Sequence, residues 1–420
     1  LWRFEQKLSN PAFGGNVQNA DAKIGKEAYL FAGIIFRKTR HRSPDLSGCH
    51  ACVAWLRQNH ALHDTPNTVR SYKGIYNLRR MNFEGKWEKR WHPLRQEWVV
   101  YAAHRNTRPW NTGTQQVNRP DIPAYDPACY LCPGNARVHG VHNPDYQGVY
   151  MFDNDHPVVG LHAPAVAEGS GLYRRSPATG MARVICYDPR HNLTLADLQT
   201  VQVAGVFAAW RQQMREMQAH PSVRYVLVFE NKGELCGVSN PHPHGQLYAT
   251  DFVFRHCEQH LRAAKEHRLA TGTNLFAEII ENELADGRRV VAENGGAVAF
   301  VPFFARYAYE TMVFPKRRHA TLISLSDSEL YDLVEVFQEL VRRYDRLFGF
   351  SFPYVMSVQQ APVDGADYPD YHMHLSLLPP LRQPGLIKHL AGPEIGGGNF
   401  MADTLPEEKA AELRNLKLKS

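Results

Sequence analysis

Two stretches of this chain present the same elements in the same order, and that duplication narrows the available folds more than any other feature. The first runs from an apolar strand, Val184-Ile185-Cys186-Tyr187, through His191 and Thr194, a predicted helix cap, into a helix over 195–218. A strand from Tyr225 to Phe229 then leads to His242-Pro243-His244. The second runs from Thr311-Met312-Val313-Phe314 through His319 to a capping box of Ser326 and Glu329, then a helix, a strand from Tyr354 to Ser357, and His372-Met373-His374. From lone to paired histidine is 51 positions in one copy and 53 in the other. Such near-equality predicts two α+β units of common design, built from antiparallel sheet with packed helices. In the second helix Leu330, Leu333, Val334, Phe337, Leu340, Val341, Tyr344 and Leu347 recur at helical spacing, so they form a core-facing stripe and imply no cofactor.

The segment Asn240-Pro241-His242-Pro243-His244-Gly245-Gln246 is where chemistry is expected. Alternate residues of an extended strand share a face, so His242 and His244 are predicted side by side. Pro241 and Pro243 favour extended geometry before them and lack an N–H, which puts the segment at a sheet edge or a strand entry. Gly245 admits close approach of a ligand. A histidine beside a phosphate in such a place can attack phosphorus covalently and divide one hard displacement into two easier ones. An isolated His-x-His is more often a packed pair; here the flanking Asn, Pro, Gly and Gln favour the chemical reading.

At 420 residues the chain suits two or three domains, and 44% hydrophobic with 21% charged residues is ordinary globular composition. Its net charge of +6 is misleading. Residues 1–80 hold 13 Lys and Arg against 5 Asp and Glu, and the rest holds 35 against 37, so no nucleic-acid partner is expected of the main body. The apolar run at 28–36 is too short to span a bilayer and no cleavable signal begins at Leu1, which predicts a cytoplasmic protein without a membrane partner. In Cys49-His50-Ala51-Cys52, with His60 and His63 beyond, the spacing is loose for a zinc knuckle. Met81-Asn82-Phe83-Glu84-Gly85 reads as a fresh amino terminus, so residues 1–80 are treated as a basic extension of unassigned role, followed by halves at 81–265 and 266–420.

Seven cysteines, an odd number, with four in two Cys-x-x-Cys pairs, fit metal ligation better than disulfides. Cys129-Tyr130-Leu131-Cys132 has the spacing at which two thiolates grip one zinc ion, and His191 and His242 are the candidates to complete a tetrahedron. His242 would then stiffen the strand bearing His244 without touching substrate. The alternative is a reduced, buried cysteine pair.

Ser239-Asn240-Pro241-His242-Pro243-His244-Gly245-Gln246 together with Cys129-x-x-Cys132 resembles the galactose-1-phosphate uridylyltransferases of the histidine-triad superfamily. The similarity continues at Arg90-Trp91-His92-Pro93-Leu94, His104-Arg105-Asn106-Thr107-Arg108-Pro109-Trp110, Asn143-Pro144-Asp145-Tyr146, Phe152-Asp153-Asn154-Asp155 and Phe229-Glu230-Asn231-Lys232-Gly233. The resemblance implies two fused histidine-triad-like units, a homodimer, and uridylyl transfer from UDP-glucose to galactose 1-phosphate through a covalent histidine. On it, His244 is the nucleophile, zinc is held by Cys129, Cys132, His191 and His242, and Gln246 and Ser239 donate to phosphoryl oxygens. Arg105 and Arg108 lie near nucleotide and phosphates, and Asn154, Asp155 and Asn231 at the nucleoside end. Lys388 meets the sugar phosphate and Glu394 the sugar hydroxyls, although the glycine-rich run after Glu394 departs from the best-known members. Some members also hold iron with one Glu and three His. Here His372 and His374 match two ligands, Gln359 or Gln360 replaces a third, and the carboxylate position falls near His260, so the second metal is expected to be absent or weakly held. The competing readings are a phosphorylase of the same superfamily acting on ADP-glucose or a dinucleoside polyphosphate, and a non-catalytic nucleotide-binding zinc protein.

Overall fold

A computed structural model describes residues 87–103, 122–167, 169–238 and 240–418. Arg105, Arg108, Ser239, the Cys49 and Cys52 pair and the Met81 start all lie outside the described residues. The strands are β1 Trp87–His92, β2 Glu97–Ala102, β3 Tyr150–Asp153, β4 Gly180–Cys186, β5 Tyr225–Lys232, β6 His244–Thr250, β7 Val290–Glu293, β8 Ala297–Phe300, β9 Thr311–Pro315, β10 Tyr354–Gln359, β11 His374–Leu378, β12 Leu381–Gln383, β13 Leu386–Ile387 and β14 Met401–Ala402. The helices are α1 Thr200–Gln218, α2 Arg255–Thr271, α3 Leu275–Asp286, α4 Asp327–Leu347 and α5 Pro406–Arg414.

Nine strands form one antiparallel sheet in the order β3-β4-β6-β5-β10-β11-β9-β8-β7. Eight of the nine are arranged symmetrically about the β5/β10 pair, where Tyr354 lies opposite Lys232, and β7 is the one extra edge strand, so the duplication in the sequence becomes a continuous sheet shared by both halves. Side chains alternate between its faces. Val226 and Val228 of β5 and Val313 of β9 join one core with α1 (Val206, Phe207, Trp210, Met214) and α4 (Leu333, Val334, Phe337, Leu340, Val341). Tyr225, Met312 and Phe314 point the other way, into a second core with Phe276 and Ile279 of α3 and Ala263 and Ala264 of α2. A smaller sheet, β1-β2-β14, carries the parallel pair β2/β14.

The α4 stripe is buried as its spacing predicts, with Leu347 only partly so. Ser326 and Glu329 form the expected capping box, Ser326 N–H donating to the Glu329 carboxylate at 2.9 Å. The first helix differs from expectation. It begins at Thr200 behind Gln199, and Thr194 organises a separate turn through Asp197. Side chains of α4 explain the break: Gln338 donates to the carbonyls of Leu195 and Leu198, and Arg342 to those of Ala196 and Leu198, taking acceptors a continuous helix would use. Among the described residues, no helix is long and apolar enough to cross a membrane.

Candidate active site and metal centre

The paired histidines divide at the start of β6. The strand begins at His244, not His242, because the Asn240 side-chain oxygen accepts the His242 N–H at 3.0 Å and makes a turn there. The segment is a strand entry and not an edge, since β6 lies between β4 and β5. Pro243 offers its carbonyl to Tyr187 N–H at 2.9 Å. The close approach expected at Gly245 is made by the fold itself: a Cβ there would lie 2.1 Å from the Tyr187 hydroxyl oxygen.

His242 is buried and turns toward the Cys129–Cys132 loop. One donor atom each of Cys129, Cys132, His191 and His242 lies within 4.8 Å of the others. Cys132 Sγ is 3.5 Å from Nδ1 of both His191 and His242. Tetrahedral zinc with sulfur at about 2.3 Å and nitrogen at about 2.0 Å separates those atoms by roughly 3.5 Å, so the donor set fits. The atom His242 would offer a metal is defined by its other nitrogen: Nε2–H donates to the Tyr146 hydroxyl at 2.9 Å, which donates to the Leu131 carbonyl at 2.6 Å. Asn240 Nδ2 donates to Cys129 Sγ at 3.2 Å, and Asn143 Nδ2 to the carbonyls of Tyr130 and Cys132 at 2.9 and 3.0 Å. Burial, reinforced by His191 and His244, lowers His242 to about 4, and burial lowers His191 too, so both rings stay neutral, the form that binds a cation. Burial, with the Cys129 thiol beside it, pushes Cys132 up to about 11, a penalty that a bound cation reverses.

His244 and Gln246 project from the sheet face opposite α1 and α4. With Tyr130, Phe229, Asn231, Gly237, Val238 and Gly245 they line a pocket of about 120 Å³. His244 Nδ1 donates to the His242 carbonyl at 2.8 Å; since a carbonyl only accepts, Nε2 keeps the lone pair. Burial lowers the His244 pKa, partly opposed by that hydrogen bond. Gln246 is oriented in the same way. Its Oε1 accepts from Tyr248 Oη at 3.1 Å and Asn154 Nδ2 at 3.2 Å, leaving the amide Nε2 to donate.

Of the other sequence candidates, Asn231 lines this pocket and Asn154 reaches it through Gln246. Asp155 lies beside Arg137, 3.7 Å between Oδ2 and Nε. Lys388 and Glu394 are ion-paired to each other, with Lys388 also donating to the Met401 carbonyl at 2.8 Å, and are not among the residues lining the His244 pocket. Tyr146, Asn143, Asn240 and Tyr248 have positions that sequence reasoning did not assign. The first three stood in the motifs already quoted, and their side-chain amides or hydroxyl were the available signal.

The second half repeats the arrangement in a closed form. His374 Nδ1 donates to the His372 carbonyl at 3.2 Å, as His244 does to His242. Yet His374 is fully buried among Phe276, Phe314 and His260, because α2 and α3 cover this half of the sheet face. Both ring nitrogens of His372 are engaged, Nδ1 accepting from His319 N–H at 3.0 Å and Nε2 donating to the Pro315 carbonyl at 2.8 Å. Gln360 is likewise spent on the Val226 carbonyl and the Leu322 N–H.

Residues 79–253 match the family model for the galactose-1-phosphate uridyl transferase N-terminal domain, and residues 256–420 that for its C-terminal domain. The galactose-1-phosphate uridylyltransferase of Haemophilus influenzae is 37% identical over 330 residues, covering 78% of this chain and 94% of the relative. That of Saccharomyces cerevisiae is 32% identical over 351 residues, covering 80% and 96%. A solved uridylyltransferase structure is similar at a TM-score of 0.64 and 30% identity, over 78% of this chain and 97% of the other. An ADP-glucose phosphorylase from Arabidopsis thaliana shares the fold at a TM-score of 0.65 and 23% identity, over 80% and 100%. With both domain models matched in order across the strands that carry His244 and its pseudo-symmetric partner, this chain belongs to the galactose-1-phosphate uridylyltransferase family.

Proposed function

We propose that the protein transfers uridylyl from UDP-glucose to galactose 1-phosphate through a covalent bond to Nε2 of His244. The observation that carries this is the pairing, in one pocket, of a histidine whose Nε2 lone pair is defined by its Nδ1 bond with a glutamine whose only unused polar group is a donor. Nε2 attacks the α-phosphorus, the bond to the bridging oxygen breaks, and glucose 1-phosphate leaves with that electron pair. An oxygen of galactose 1-phosphate then attacks the same phosphorus and the P–N bond breaks, returning neutral imidazole. As Nε2 becomes bonded the ring gains positive charge, which the His242 carbonyl at Nδ1–H stabilises. Gln246 donates to the phosphoryl oxygens as charge shifts onto them, and Asp155 and Asn231 are read at the nucleoside end. Lys388 is assigned to the sugar phosphate, Glu394 to the sugar hydroxyls, and Arg105, Arg108 and Ser239 to the phosphates, on family position alone.

Cys129, Cys132, His191 and His242 are read as a zinc site. Four protein ligands make such a site structural: it holds His242, and with it the carbonyl that orients His244. The spent ring nitrogens of His372 support the absence of a tightly held iron. The halves at 81–265 and 266–420, a homodimer and a cytoplasmic location remain part of the reading on the family resemblance.

The test is intact-mass analysis of protein mixed with UDP-glucose and no acceptor, followed by digestion. A uridylyl adduct on His244 that galactose 1-phosphate discharges is expected. An adduct with ADP-glucose only would move the protein to the phosphorylase reading, and none with either donor would leave a nucleotide-binding zinc protein.

A further inference from the structure

Arg137 stands outside every role assigned above, and its surroundings are unusual for an arginine. Its side chain is 9% exposed, and the guanidinium lies 3.8 Å from the centre of the Phe152 ring. Its nearest carboxylate is Asp155, at 3.7 Å from Nε, too far for a hydrogen bond. Nε and Nη1 are buried without a hydrogen-bond partner among the described residues. A guanidinium is always charged, and a buried charge without full pairing is costly, so a fold retains one where it acts on a neighbour.

The backbone brings Arg137 there from the metal loop. Arg137 N–H donates to the Val141 carbonyl at 2.6 Å, Asn143 N–H donates to the Asn135 carbonyl at 2.9 Å, and Asn143 Nδ2 ties this hairpin to the Cys132 carbonyl. Asp155, in turn, follows Asn154, which is hydrogen-bonded to Gln246 of the His244 pocket. Asp155 is 19% exposed on its side chain, open enough to accept from a ligand while the cation stands behind it.

We infer that Arg137 is a positioning residue that holds the Asp155 carboxylate aimed at the ribose hydroxyls of the donor nucleotide. The inference rests on the uridylyl-transfer reading and adds to it the group that makes Asp155 competent. The loose 3.7 Å geometry leaves the carboxylate lone pairs available to hydroxyl donors, while the Phe152 face restrains the guanidinium plane.

The experiment compares wild type, Arg137→Gln, Arg137→Lys, Asp155→Asn and the Arg137→Gln/Asp155→Asn double variant, using UDP-glucose and its 2′- and 3′-deoxy analogues. Arg137→Gln is expected to raise KM for UDP-glucose about tenfold with kcat and KM for galactose 1-phosphate nearly unchanged, and to collapse discrimination against the deoxy donors. Arg137→Lys should recover part of both effects, since it restores charge. In the Asp155→Asn background the Arg137→Gln change should add little. A loss of kcat alone, intact deoxy discrimination, or an equal effect in both backgrounds would overturn the inference, because a purely structural arginine gives those results. If wild type forms no uridylyl adduct, the reaction reading fails on that measurement alone and takes the inference with it; an active wild type with an unresponsive Arg137 sinks only the inference.

Discussion

His244 Nδ1 and the backbone carbonyl of His242, 2.8 Å apart, join the candidate nucleophile to a candidate metal ligand through a single hydrogen bond. The same bond defines the tautomer, so Nε2 is the atom that can form a bond to phosphorus. His244→Gly is expected to abolish the uridylyl adduct and lower transfer by more than about 10⁴-fold. Its side chain is half-buried at a strand entry, so the melting temperature should stay within a few degrees of wild type. Transfer persisting in this variant would put the nucleophile elsewhere.

Tyr146→Phe removes the acceptor of His242 Nε2–H while leaving the four candidate metal donors in place. Zinc affinity should fall roughly 10- to 100-fold, as for other groups that orient a ligand without touching the ion. Cys129→Ser, which deletes a donor, should lose more zinc and melt at a lower temperature. Elemental analysis after dialysis should find zinc near one per chain and iron far below that, and stoichiometric iron would contradict the closed state of His372.

Acid should destabilise the protein through its buried second-half histidines. Burial lowers His374 to about 4, below its ordinary value, so below pH 6.5 the unfolded chain binds a proton that the folded chain refuses. The contribution is intact above the ordinary histidine pKa and is lost as pH falls from there toward about 4, at about 1.4 kcal/mol per pH unit. Urea unfolding between pH 7.5 and 5 should show this slope, and His374→Leu should reduce it by about that amount. An unchanged slope would exonerate His374.

Gly245→Ala would set a methyl group 2.1 Å from Tyr187 Oη and 3.0 Å from the Phe229 carbonyl oxygen. A cost of about 1–3 kcal/mol is expected, with slower transfer because His244 is the preceding residue. The Tyr187 hydroxyl is buried without a partner among the described residues, so its removal costs little. Tyr187→Phe should therefore restore part of the loss in a denaturant titration of the double variant.

Much of the architecture was legible because periodicity is a local property. The α4 stripe and its Ser326/Glu329 cap need only residues within a few turns of one another, and both form as expected. Thr194 illustrates the limit: its turn is separated from α1 by Gln338 and Arg342, more than a hundred positions away in sequence, and no local signal reports acceptors taken by another helix.

The order of elements and the identity of the Cys129, Cys132, His191 and His242 donors were contained in the sequence, since duplication and ligand chemistry are written in residue types and spacings. The flanks of His242 and His244 marked that pair for chemistry, but only tertiary structure decided how the second pair is closed. His244 and His374 hold matching Nδ1 bonds, yet His374 is fully buried and His244 is not. The difference comes from α2 and α3, which pack over one half of the sheet face because their apolar side chains are buried against Phe314 and Tyr371 there. That burial closes the site around His374 and leaves the one around His244 open.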